Sequence, residues 1–280
     1  MKFTKYHALG NDYIVIAPNE LDHDMTSAEI KTICDRHYGV GSDGVLYGPL
    51  PSASCDFKLR IFNPDGSEAE KSGNGLRIFS RYLWDTKLVT HDTFSIETKG
   101  GEVKATVHAE GKRVTVDMGK VRYTHGSDHS LAIRKETIQI ADQTFVGYRA
   151  SVGNPHFVIP VQQLSADLAH QYGPLIEQDA RFENRTNVQF LKVLDRHTIQ
   201  IEIWERGAGY TLASGSSSTA AAGVACGLGL CDEIISVNMP GGEIKISLDQ
   251  DLFATMQGAV CKIANGELAM EALEDYRNTF

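Results

Sequence analysis

Apolar and polar positions alternate over several short stretches of this chain, the period-2 sign of strands with one buried face. Phe57-Lys-Leu-Arg-Ile-Phe62 and Thr198-Ile-Gln-Ile-Glu-Ile-Trp204 show it most clearly, and it returns over Glu102 to His108, Arg113 to Asp117, Thr137 to Ile140 and Glu243 to Leu248. Each of the first two leads through a polar turn into a helical stretch. In the first, Leu76, Phe79 and Leu83 share one helical face between Leu76 and Trp84; in the second, Ser218-Thr-Ala-Ala-Ala-Gly-Val-Ala225 is a run of small residues suited to a closely packed helix. Amphipathic helices are expected at Thr26 to Tyr38 and Ser165 to Ile176. The pattern predicts an α/β protein, mostly strand, with one central helix in each half.

The halves repeat one another. Gly10-Asn11-Asp12-Tyr13-Ile14-Val15-Ile16 matches Gly153-Asn154-Pro155-His156-Phe157-Val158-Ile159 at an offset of 143. Arg60-Ile61-Phe62 with Ser72-Gly73 matches Glu202-Ile203-Trp204 with Ser214-Gly215 at 142, and Thr98-Lys-Gly-Gly-Glu102 matches Met239-Pro-Gly-Gly-Glu243 at 141. Three matches in order, with offsets drifting by one residue each, point to an internal duplication. The expected organisation is two pseudo-symmetric domains, 1–118 and 119–262, each a mostly antiparallel sheet wrapped around its central helix, with residues 263–280 returning to the first. Thr124 to Ser130, polar and poorly patterned, is the expected linker.

Composition narrows the function. A length of 280 residues suits two domains of about 150 each. With 27 basic and 36 acidic residues the net charge is −9, which leaves no basic surplus for a nucleic-acid backbone or an anionic membrane face. Neither is expected as a partner. Cys34, Cys55, Cys226, Cys231 and Cys261 are odd in number and scattered, without the spacing of a metal site, as in a reduced, cytoplasmic protein. No metal is expected. No apolar run reaches the length of a signal peptide or a membrane span.

Two turns carry candidate chemistry. Ser72-Gly73-Asn74-Gly75 and Ser214-Gly215-Ser216-Ser217 each open a helix, and each would offer free backbone N–H groups and a positive dipole end to a carboxylate. A serine at a helix start is ordinarily just a cap. Its recurrence at equivalent positions in both halves favours a paired site.

Phe62-Asn63-Pro64-Asp65-Gly66-Ser67-Glu68-Ala69-Glu70, the Ser-Gly-Asn-Gly turn, Gly153-Asn154-Pro155-His156, Asn184-Arg-Thr-Asn187-Val and Trp204-Glu205-Arg206-Gly207-Ala208-Gly209 together resemble the diaminopimelate epimerase family, from Tyr6 to Gly258. The resemblance implies two similar α/β domains with the active site in the cleft between them. It implies inversion of an amino-acid α-carbon with neither pyridoxal phosphate nor metal, one group removing the proton and another delivering one to the opposite face. Carried over by position, Gly73, Asn74, Gly215 and Ser216 would hold the reacting α-carboxylate. Asn11, Asn63, Asn154, Asn187, Glu205 and Arg206 would bind the amino and carboxylate groups of a small diamino dicarboxylate, the distal carboxylate pairing with Arg206. His156 and Glu205 would tune the two catalytic groups. A homodimer is compatible with this reading.

One departure falls at the chemistry. The family has cysteine before Gly73 and Gly215; this chain has Ser72 and Ser214. A helix dipole contributes up to about 2 kcal/mol, too little to bring an alcohol into the range where a thiol works. Ser72 and Ser214 remain the expected acid/base groups, with His156 or Glu205 as an adjacent base. The same residues leave open a Cys-to-Ser variant of impaired rate, an isomerase or dehydratase of another small carboxylic acid, and an amino-acid-binding paralogue without turnover. The phenazine-biosynthesis and proline racemase relatives vary the same pair of positions.

Overall fold

The computed structural model describes residues 1–125, 128–130 and 132–273, which form two units. The first comprises Met1–Val116 with residues 258–273, and the second Asp117–Gln257.

In unit 1, Cys261–Glu267 lies antiparallel to Lys2–Ala8, which lies antiparallel to Asn11–Ile16. Asn11–Ile16 runs parallel to Val45–Leu50, which is antiparallel to Phe57–Phe62. Phe57–Phe62 runs parallel to Phe94–Thr98, and Gly101–His108 follows antiparallel to it. Unit 2 repeats this order. Lys135–Ile140, Gln143–Ser151 and Pro155–Pro160 pair antiparallel, Pro155–Pro160 runs parallel to Asn187–Asp195, and Asn187–Asp195 is antiparallel to Thr198–Glu205. Thr198–Glu205 is parallel to Ile234–Met239, which is antiparallel to Gly242–Leu248.

Parallel neighbours need a crossover, and the four α-helices are the four crossovers. They are α1 (Ser27–Cys34), α2 (Gly73–Asp85), α3 (Ala166–Glu177) and α4 (Gly215–Gly227). In unit 1, α2 packs against Lys2–Ala8, Asn11–Ile16, Val45–Leu50 and Gly101–His108, burying Leu76, Ile78, Phe79 and Leu83. In unit 2, α4 packs against Gln143–Ser151, Pro155–Pro160, Asn187–Asp195 and Gly242–Leu248. Its serines, alanines and glycines let strands approach from every side, so Ser217 to Ala225 are all buried. A Cβ at Gly223 would stand 2.7 Å from Val121 Cγ1.

Two expectations are corrected. The first amphipathic helix begins at a capping box, with Thr26 and Glu29 exchanging hydrogen bonds, but ends at Cys34 rather than Tyr38. The Asp35 carboxylate takes the N–H groups of His37 (2.8 Å) and Tyr38 (2.9 Å) and so turns the chain out of the helix. The expected linker lies partly outside the described residues. Its described backbone is not a linker: Arg122–His125 and Asp128–Ser130 pair antiparallel, so ladder bonds order a stretch whose side chains carry no apolar pattern. Among the described residues, no helix is long and apolar enough to cross a membrane.

Candidate active site

Each unit places a serine at the start of its central helix. Ser72 has extended backbone and caps α2, its Oγ accepting the Gly75 N–H at 3.0 Å. Ser214 does the same for α4, accepting the Ser217 N–H at 3.3 Å. In each case the first two N–H groups of the helix, at Gly73 and Asn74 or at Gly215 and Ser216, have no acceptor within the helix. They are the donors that the two turns offer to an anion.

Around Ser72, unit 1 supplies amides and a phenol. The Ser72 and Tyr13 hydroxyls lie 3.2 Å apart. Asn74 Nδ2 donates to Asn11 Oδ1 at 3.0 Å, and Asn11 Nδ2 donates to Asp43 Oδ2 at 2.9 Å. Asp43 is braced in turn by Arg36, which also pairs with Asp12 (2.8 Å). Asn11, Ser72, Gly73 and Asn74 thus form one group. Asn63 serves its own turn, donating from Nδ2 to Ser67 Oγ at 3.0 Å while its carbonyl accepts from Gly66.

Unit 2 surrounds Ser214 differently. Its Oγ donates to Glu205 Oε1 at 2.6 Å and lies 3.5 Å from Ser216 Oγ. Burial pushes the Glu205 carboxyl above its usual range, and the Ser214 hydrogen bond only partly offsets that. His156 is buried with both ring nitrogens taken. Gln189 donates to Nδ1 (3.1 Å), so Nε2 carries the proton and donates to Asn154 Oδ1 (2.9 Å). Burial holds the ring neutral, pulling its pKa down to about 3. Asn154 reaches Ser216 Oγ at 3.5 Å, and Gln189 also donates to Ser217 Oγ at 3.0 Å. His156 therefore supports the turn through Asn154 and Gln189.

The loop after Glu205 is fastened from below. Asn187 donates to the Pro155 carbonyl (2.8 Å) and accepts the Arg206 N–H (3.0 Å). The buried carboxylate of Glu177, at the end of α3, accepts from Trp204 Nε1 (3.2 Å), the Gly207 N–H (2.8 Å) and Arg185. Arg206 stays exposed, with Nη1 on the Asn184 carbonyl at 3.0 Å.

Sequence reasoning passed over Tyr13, Asp43, Glu177 and Gln189. Tyr13 was within reach, because the 143-residue offset pairs it with His156. Gln189 was marked by its polarity within the apolar strand Asn187-Val-Gln-Phe-Leu191. Glu177 and Asp43 were harder to find, since the site groups they hold lie 27 or more residues away for Glu177 and about 30 for Asp43. Among the described residues, no three His, Cys, Asp or Glu side chains gather into a metal-binding group.

The arrangement is chemically uneven. A hydroxyl is a weak proton acceptor unless a base adjoins it. Ser214 has a carboxylate at hydrogen-bond distance; Ser72 has a phenol.

Similar proteins match most of the chain. A family model described as diaminopimelate epimerase matches residues 3–124 and 148–263. Diaminopimelate epimerase 2 of Nostoc sp. is 56% identical over 275 residues, covering 97% of this chain and 96% of that protein. Diaminopimelate epimerase of Pseudomonas syringae pv. tomato is 37% identical over 257 residues, covering 88% and 90%. Among solved structures, a probable proline racemase from Agrobacterium radiobacter K84 shares the fold with a TM-score of 0.71 at 14% identity, covering 99% of this chain and 95% of its own.

Proposed function

We infer that this chain, which belongs to the diaminopimelate epimerase family, inverts the α-carbon of diaminopimelate, interconverting the LL and meso forms by proton transfer without pyridoxal phosphate. The observation that carries the reading is the pair of equivalent helix N-termini, each capped by a hydroxyl, one of them bonded to a half-buried carboxylate at 2.6 Å. Ser72 and Ser214 are the two acid/base groups that inversion requires. The N–H groups of Gly73, Asn74, Gly215 and Ser216 receive the α-carboxylate, with Asn11 and Asn154 beside them. Arg206, exposed on a loop held by Asn187 and Glu177, presents a guanidinium fork suited to the distal carboxylate.

In the unit 2 half-reaction, Glu205 takes the Ser214 proton as the serine oxygen removes the α-proton, which leaves the pair neutral and the negative charge on the substrate. When the proton arrives on the other face from Ser72, that serine recovers one from solvent while Glu205 returns to solvent the one it took, and both groups are restored. The reaction belongs in the cytoplasm, on the route to lysine and cell-wall precursors.

The same 2.6 Å contact supports a second reading, in which Glu205 is itself the base on another small carboxylic acid. Deuterium incorporation at the α-carbon in heavy water, followed for both diaminopimelate stereoisomers, separates them. Exchange with appearance of the opposite stereoisomer is the expected result. Exchange only on a different acid transfers the role to Glu205, and saturable binding with no exchange leaves an amino-acid-binding protein.

A further inference from the structure

Arg77 is the largest side chain without solvent exposure among the described residues. It lies one turn into α2, and its guanidinium touches Asn74 Oδ1 through Nη2 and the Ala259 carbonyl through Nη1 at 3.3 Å. No carboxylate among the described residues offsets its charge; burial alone acts on it, lowering its pKa to about 10, so it is a cation at neutral pH. The fold makes room for it: a Cβ at Gly258 would fall 1.8 Å from Nη1. A buried cation with two neutral partners is costly, and such groups persist where they have a task.

Its hydrogen bonds show the task. A guanidinium only donates, so the Asn74 amide must turn its oxygen toward Arg77 and its nitrogen away. That nitrogen donates to Asn11 Oδ1 at 3.0 Å, which turns the Asn11 nitrogen toward Asp43 Oδ2 at 2.9 Å. Every donor points the same way, from the cation of Arg77 to the carboxylate of Asp43. We propose that Arg77 is a positioning residue that sets the orientation of the Asn74 and Asn11 side chains and thereby fixes the carboxylate-binding turn of unit 1. The ligand in that statement rests on the function proposed above; the orientation does not.

The full chain is tested as Arg77→Met, Arg77→Lys, Asn74→Ala and the double Arg77→Met/Asn74→Ala. In ¹⁵N-labelled protein, the side-chain amide signals of Asn11 and Asn74 are expected to shift and to exchange with solvent faster in Arg77→Met, and to stay near their parent positions in Arg77→Lys. Calorimetry with meso-diaminopimelate is expected to show affinity weakened about tenfold or more by Arg77→Met, the scale of one charge-assisted hydrogen bond. Arg77→Lys restores part of it, and Arg77→Met adds little once Asn74 is alanine. Unchanged Asn11 and Asn74 signals in a folded Arg77→Met protein, or losses that multiply in the double variant, overturn the proposal. If Arg77→Met does not fold, Gly258→Ala displaces the guanidinium instead and must shift the same two signals. A parent chain that fails to bind diaminopimelate counts against the proposed function, while the amide signals still decide the role of Arg77.

Discussion

The Ser214 hydroxyl and the Glu205 carboxylate share a proton at 2.6 Å, and the carboxylate must be ionised to accept it. Burial raises its pKa, so α-proton exchange should rise with pH through a midpoint above the ordinary 4.5 of a glutamate. Glu205→Gln is expected to lower exchange by roughly 10²–10⁴-fold, the range of a general base, read by deuterium uptake. The same change should raise the melting temperature at pH 7. A carboxyl whose pKa is raised by folding stabilises only at low pH and loses that contribution as pH rises through its folded value, a loss glutamine escapes. His156 has the opposite sign. Its pKa falls from 6.5 to about 3 on folding, so stability present above pH 6.5 drains away as pH drops toward 3. Thermal melts of His156→Gln between pH 7 and 4 should show a shallower slope than the parent, whatever the change in level. At this scale the sequence disclosed residue types and their recurrence, but hid where the amides point. Asn187 reads as a ligand group in its motif, and in the fold both ends of its amide are spent on the Pro155 carbonyl and the Arg206 N–H. Partners 19 and 32 residues away leave no trace in local spacing.

The elements were more legible, because period-2 alternation and small-residue runs are local properties. Phe57–Phe62 and Thr198–Glu205 match their patterns, and α2 and α4 extend a few residues beyond theirs as the serine caps require. Strands buried on both faces, such as Asn11–Ile16, show no alternation and escape a periodicity test. The end of α1 was missed because a backbone hydrogen bond accepted by the Asp35 carboxylate outweighs an amphipathic pattern that continues past it. For α4, close packing sets the expected response to substitution. Gly223→Ala gains at most about 1 kcal/mol of helix propensity but drives a methyl to 2.7 Å from Val121. A net loss of about 1–3 kcal/mol is expected, measured as a lower urea midpoint with an unchanged slope.

For the whole molecule, the duplication was readable from three sequence matches, and the ladders extend it to every strand pair in the series, antiparallel and parallel steps falling in the same order in both units. The proposed two-serine inversion should respond to paired changes. Ser72→Cys or Ser214→Cys alone is expected to give little, whereas both together should raise α-proton exchange on the order of a hundredfold or more, since a thiol at a helix N-terminus ionises near neutral pH. Chiral chromatography of the product pool checks it; a folded double variant that binds diaminopimelate and exchanges nothing removes the two serines from the reaction. The duplication is also out of step with the chain. Unit 2 draws its outermost strand, Lys135–Ile140, from just before the rest of its ladder, while the matching place in unit 1 is taken by Cys261–Glu267. On a ribosome, everything unit 2 needs has emerged by residue 257, yet Lys2–Ala8 must keep an unpaired edge while about 150 further residues are made, roughly 8 to 30 s at ordinary elongation rates. The half of the molecule that is synthesised first is the half that is finished last, and its waiting edge is where a nascent chain of this protein would be most open to pairing with another.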